Sequence, residues 1–114
     1  LNKKPPIMSE LTILSKRIHD NAEKNGFHSP PRRLPELLTL AHSELSEAFE
    51  EWRDDPERPT VFGKSGPQGW AVEIVDCIIV CLDILYSSGI AVEPLLIEKI
   101  TYNETRPRRH GRGI

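Results

Sequence analysis

Cysteine is scarce. The 114 residues hold two, Cys77 and Cys81, four apart inside one apolar segment. A disulfide framework spreads its cysteines along loops, so a reduced, cytoplasmic protein is the simpler expectation. An excess of one charge is also missing. Fifteen Lys and Arg stand against 17 Asp and Glu, a formal net charge of -2. That excludes a binder held to nucleic acid by bulk positive charge, and no nucleic-acid partner is expected. No apolar run reaches the ~18 residues of a membrane helix, because Glu73, Asp76 and Asp83 break the best one, so no membrane partner is expected either. There is no Gly-x-x-x-x-Gly-Lys-Ser/Thr word, which excludes a P-loop. None of His19, His28, His42 and His110 has a Glu three residues before it, which argues against a di-iron carboxylate bundle.

The composition is that of one globular domain. Hydrophobic residues make up 38% and charged residues 28%, enough for a modest core without staples. Residues 1–7 carry Pro5 and Pro6 and no apolar signal segment. They read as a leader or remnant ahead of Met8, with a single domain over 8–114 and a loose basic tail over 106–114.

Apolar spacing predicts four helices and no competing strand. The first spans about Glu10 to Asn25, with Leu11, Leu14, Ile18 and Ala22 on one face and Gly26 as its stop. The second spans about Pro35 to Arg53, its stripe formed by Leu37, Leu38, Ala41, Leu45, Ala48, Phe49 and Trp52. Residues 54–69 are rich in proline and glycine and read as a long loop, a frequent place for function. The third helix spans about Gln68 to Ser88. The fourth begins near Pro94 and ends about Thr105, before Arg106-Pro107. The expected fold class is all-α, a four-helix bundle-like arrangement.

The chemistry lies in the carboxylates. On a wheel of about 100° per residue, Glu44 and Glu51 border the apolar stripe of the second helix and Glu47 lies just beyond it. Glu50 falls nearly opposite and reads as a solvated charge. The third helix is apolar on all sides, the mark of a buried helix, yet it carries Glu73, Asp76 and Asp83 within an arc of about 80°. Clustered acids in such a setting need a cation, either a Lys or Arg from a neighbouring helix or a metal. Oxygen ligands without nearby histidine favour Mg²⁺, with Mn²⁺ as the other choice. Asp83, two turns beyond Asp76, is an extra ligand or the partner of a buried Lys or Arg; the partner role is expected. On the fourth helix Lys99, Asn103 and Arg106 share one face, a stripe suited to phosphate oxygens or to pairing with Glu98 and Glu104.

These words together resemble a known family. Glu44-Leu-Ser-Glu47, then 25 residues, then Glu73-Ile-Val-Asp76 is similar to the signature of the MazG-like, all-α nucleoside triphosphate pyrophosphohydrolases. The flanking words His42-Ser-Glu-Leu-Ser-Glu-Ala-Phe-Glu-Glu51, Gly63-Lys-Ser-Gly-Pro-Gln-Gly69 and Glu98-Lys-Ile-Thr-Tyr-Asn-Glu-Thr-Arg-Pro-Arg-Arg-His-Gly111 extend the resemblance over nearly the whole chain after Met8.

The resemblance implies that Glu44, Glu47, Glu73 and Asp76 bind Mg²⁺. It implies hydrolysis of a nucleoside triphosphate, NTP or dNTP, between the α and β phosphates, giving monophosphate and pyrophosphate in nucleotide-pool cleansing. It also implies a homodimer or homotetramer whose sites draw on more than one subunit. A spare carboxylate, Glu47 or Glu51, would take the proton of the attacking water. Lys99, Asn103 and Arg106 would hold the outer phosphates. The alternatives are a phosphoribosyl-ATP pyrophosphohydrolase, which the terminal Lys/Asn/Arg word fits less well, and a non-catalytic nucleotide-binding or assembly module.

Among the other residues, Cys77 and Cys81 are expected to be packed core thiols. Trp52 and Trp70 are expected in the core or an interface, with base stacking by Trp70 left open. His28 is expected on a loop surface, and the Arg106–Arg112 cluster in a solvated tail, Arg106 apart.

Overall fold

Ser9 starts the first helix: its Oγ accepts from the backbone N–H of Thr12 at 3.1 Å, satisfying one of the donors that a helix start leaves free. In the computed structural model, which describes residues 8–107, this helix is α1, Glu10–Lys24. It is followed by α2, Leu34–Asp54, with Pro35 in its first turn. Next come α3, Trp70–Ser87, and α4, Val92–Thr105. Residues 1–7, expected to be a leader or remnant, and residues 108–114 of the expected basic tail lie outside the described residues.

The chain is mainly helical, as expected, with one addition. The stretch read as a loop contains a small antiparallel hairpin, β1 (Val61–Gly63) and β2 (Gly66–Gln68), with Phe62 opposite Pro67. Three-residue strands carry too little alternation to register against proline and glycine.

The hairpin seats the start of α3. Gly69 has φ +120°, and a Cβ there would lie 2.5 Å from the carbonyl oxygen of Pro59. Only glycine lets the two backbones approach so closely. The N–H of Ala71 donates to that same oxygen at 3.0 Å, and Trp70 Nε1 donates to Pro56 O at 3.2 Å. Trp70 is half-buried and serves as a clasp between loop and helix.

α3 is the central element. It packs most extensively on α2 and next on α1, while α4 touches α1 and α3 lightly and α2 not at all. Glu73 faces Glu44, and the Cys77 thiol reaches Ala41 O at 3.4 Å. The pairing advances along α3 as it retreats along α2, so the two helices run antiparallel. One chain therefore does not close a four-helix bundle.

The expectation of a buried third helix also fails within one chain. Among the described residues, only Leu37, Ala48 and Ile84 are buried apolar residues, while Val75 and Ile78 on α3 stand about half exposed. The thiol of Cys81 is on an exposed residue and Cys77 is half-buried, so neither is a packed core thiol here. Trp52 is exposed, its ring 6.3 Å from that of Phe49. The radius of gyration is 17.3 Å, against about 13 Å for a compact domain of about 100 residues. Much of the apolar stripes of α1 and α2, Leu14, Leu38, Leu45, Phe49 and Trp52 among them, is exposed in one chain.

Candidate metal centre

Three of the expected metal ligands meet where α2 and α3 face one another. One carboxylate oxygen from each of Glu44, Glu47 and Glu73 lies within 4.8 Å of the others. Glu44 and Glu47 share a face of α2 because they are three residues apart. Glu73 stands in the first turn of α3, its N–H donating to Gly69 O at 3.1 Å. The hairpin and the Gly69 contact therefore set where this carboxylate points.

Like charges so placed repel, and the protonation equilibria record it. Glu73 is raised from 4.5 to about 7, first by burial, then by Asp76, Glu47 and Glu44. Glu44 is also raised, by burial, then by the charges of Glu47 and Asp76. Asp76 is one turn along α3 from Glu73 and belongs to the same electrostatic group, although it stands outside the tight trio. Among the described residues, no Lys or Arg forms an ion pair with any of these four acids.

Glu51 lies one turn beyond Glu47, beside Asp55, Arg58 and Gln68 at the hairpin. It is exposed and outside the trio, as is Glu50.

The stripe of the fourth helix is not brought to the acids. Lys99 and Arg106 flank the Tyr102 ring, at 5.0 and 5.6 Å from its centroid. Asn103 Oδ1 is buried without a hydrogen-bond partner. α4 leaves the far end of α3 at a bend of 112°, about 20 Å along the axis from Glu73 at 1.5 Å per residue. With no α2–α4 packing, this stripe and the acids of one chain stay apart.

The expectation for Asp83 is corrected. Its partners are two histidines, not Lys or Arg. Oδ1 lies 2.9 Å from His19 Nδ1 and Oδ2 lies 2.7 Å from His28 Nε2. Asp83 is 4% exposed. His28 is no surface histidine: its side chain is 13% exposed and its ring packs edge-on to Phe27 at 5.0 Å. Sequence reading missed this node because His19 is 64 residues from Asp83. The available signals were a histidine beside Ile18 on the apolar face of α1 and an acid on a helix with no basic residue. Ser87 Oγ and Asp83 Oδ1 both face His19 Nδ1. A nucleophile triad needs them at opposite ring nitrogens, so this is not one.

Among the described residues, no single helix is long and apolar enough to cross a membrane. No protein-family model, curated protein or solved structure matches the chain.

Proposed function

We propose that the chain is a Mg²⁺-dependent nucleoside triphosphate pyrophosphohydrolase of MazG-like type. The supporting observation is the acid cluster. Glu44, Glu47 and Glu73 converge with Asp76 alongside, and no basic side chain among the described residues offsets them. An all-oxygen set of this kind fits a hard divalent cation, Mg²⁺ or Mn²⁺. Bound there, the cation would neutralise phosphate charge and lower the pKa of a coordinated water.

The chain's own residues have separate tasks in this reading. Glu44, Glu47, Glu73 and Asp76 would hold the cation. Glu47, the exposed member of the trio, would accept the proton of the attacking water at its carboxylate. Glu51, further along the helix, is the second choice. Lys99, Asn103 and Arg106 would hold the departing pyrophosphate, and they reach the acids only from another copy.

That second copy has a physical motive. Leu45, Phe49 and Trp52 on α2 and Leu95, Ile97 and Ile100 on α4 are all roughly half exposed. Apolar surface on this scale marks an association surface, and a homodimer or homotetramer would cover it. Light scattering is expected to give a dimer mass or greater; a monomer mass independent of concentration would remove this part of the reading.

Product analysis tests the activity. The protein with Mg²⁺ and each NTP or dNTP is expected to yield monophosphate and pyrophosphate, and to stop on chelation. Diphosphate and phosphate would contradict the bond assignment. No turnover of any nucleotide would redirect the reading to phosphoribosyl-ATP or to a non-catalytic module.

A further inference from the structure

A second constellation, separate from the acid cluster, joins α1, the loop 25–33 and α3. We propose that His19, His28 and Asp83 form a binding site for one divalent transition-metal ion of zinc type.

The donor set is the first argument. Two imidazoles and one carboxylate suit zinc, cobalt, nickel or iron, whereas the all-oxygen cluster suits magnesium. One ligand atom from each residue lies within 4.8 Å of the others. The observed nitrogen–oxygen separations are 2.9 and 2.7 Å. Zinc–ligand bonds of about 2.0–2.1 Å place neighbouring tetrahedral ligands roughly 3.3 Å apart. The ion enters when the three side chains part by about half an ångström.

Glu23 is the second argument. His19 Nε2 lies 3.2 Å from Glu23 Oε1. A metal-bound histidine characteristically gives its other ring N–H to a carboxylate, which fixes the tautomer and the ring plane. With Nε2 turned to Glu23, Nδ1 is the nitrogen that faces Asp83 Oδ1, at 2.9 Å. A positive centre has to lie between them: a proton in a hydrogen-bond node, a metal ion in a binding site.

Access is the third. Asp83 lines an open groove of about 910 Å³ together with Leu14, Ile18, Phe27 and Ile78. Of the three ligand residues, Asp83 is the one that borders this groove, so solvent approaches the site from the carboxylate side. The rings are held for the purpose, His19 against Tyr86 at 4.9 Å and His28 against Phe27 at 5.0 Å.

The test is a Zn²⁺ titration of the chelator-stripped full chain, followed by the ¹⁵N resonances of the histidine rings. One equivalent is expected to shift His19 Nδ1 and His28 Nε2 together, and to leave His42 unmoved. The response is expected to persist in Glu73→Gln, which separates it from the acid cluster. Glu23→Gln touches only an exposed side chain and should fold; it is expected to weaken Zn²⁺ binding about tenfold or more. Rings that stay unmoved at excess Zn²⁺, a response lost in Glu73→Gln, or unchanged affinity in Glu23→Gln would each overturn the proposal.

Discussion

The two ends of α3 carry acids in different company. At the N-terminal end, Glu73 faces Glu44 and Glu47, with Asp76 close by and no basic partner among the described residues. At the C-terminal end, Asp83 is more deeply buried, yet each of its oxygens meets a histidine. The first arrangement is held under repulsion, relieved by proton uptake or by a cation. The second is satisfied internally. In our proposals the acid cluster left short of positive charge takes a hard cation, and the paired acid both holds the fold and accepts a softer ion.

The sharpest way to separate the ends is Glu73→Gln. Mg²⁺-dependent turnover is expected to fall about a hundredfold or more, since a charged ligand is lost, while the helical spectrum is kept. Retained activity in a folded variant would remove Glu73 from the site. Asp83→Ala should act in the opposite sense. It leaves two half-buried imidazoles without their acceptor, and urea unfolding is expected to show a loss of about 3 kcal/mol. A loss under about 1 kcal/mol would mean that the node contributes little to the fold.

Gly69→Ala probes what seats the acid end. The added methyl would meet Pro59 O in a backbone region that side chains avoid. A destabilisation of about 1–3 kcal/mol is expected, with weaker Mg²⁺ binding and no change in the ring resonances of His19 and His28. If both ends respond equally, they are not independent.

The smallest effect is a pH dependence in chelator. Folded Glu73 takes up its proton near 7, against 4.5 for an ordinary glutamate. Between those values the folded chain holds more protons than the unfolded one, so stability falls as pH rises through that window. The repulsion on Glu44 acts in the same direction. Glu73→Gln should flatten the slope, and so should Mg²⁺. A stability that climbs from pH 4.5 to 7 would show that other groups dominate.

Much of the fold was legible in advance. Apolar spacing, with proline and glycine as stops, located all four helices to within a few residues, because these signals are local along the chain. The Glu44–Glu47 and Glu73–Asp76 pairs were legible for the same reason: three residues apart on a helix means one face. That the four acids form one site was an expectation of the resemblance; the packing of α3 on α2 brings Glu44, Glu47 and Glu73 together and leaves Asp76 beside them.

What one-dimensional reading missed depends on distance. The hairpin came from pairing across Lys64 and Ser65, between strands too short to show a period. The His19–Asp83–His28 node came from packing α1 and its following loop against α3, an arrangement with no local periodicity to announce it. The exposure of α3 and α4 has the same origin. Residue type says that Val75, Ile78 and Ile97 prefer to be buried, but only the packing of elements decides whether one chain supplies the cover. Here it supplies too little. Local chemistry determined the helices and the composition of the acid pairs; tertiary packing alone decided which acids go without a counter-charge, because counter-charge is a matter of proximity in space rather than order along the chain.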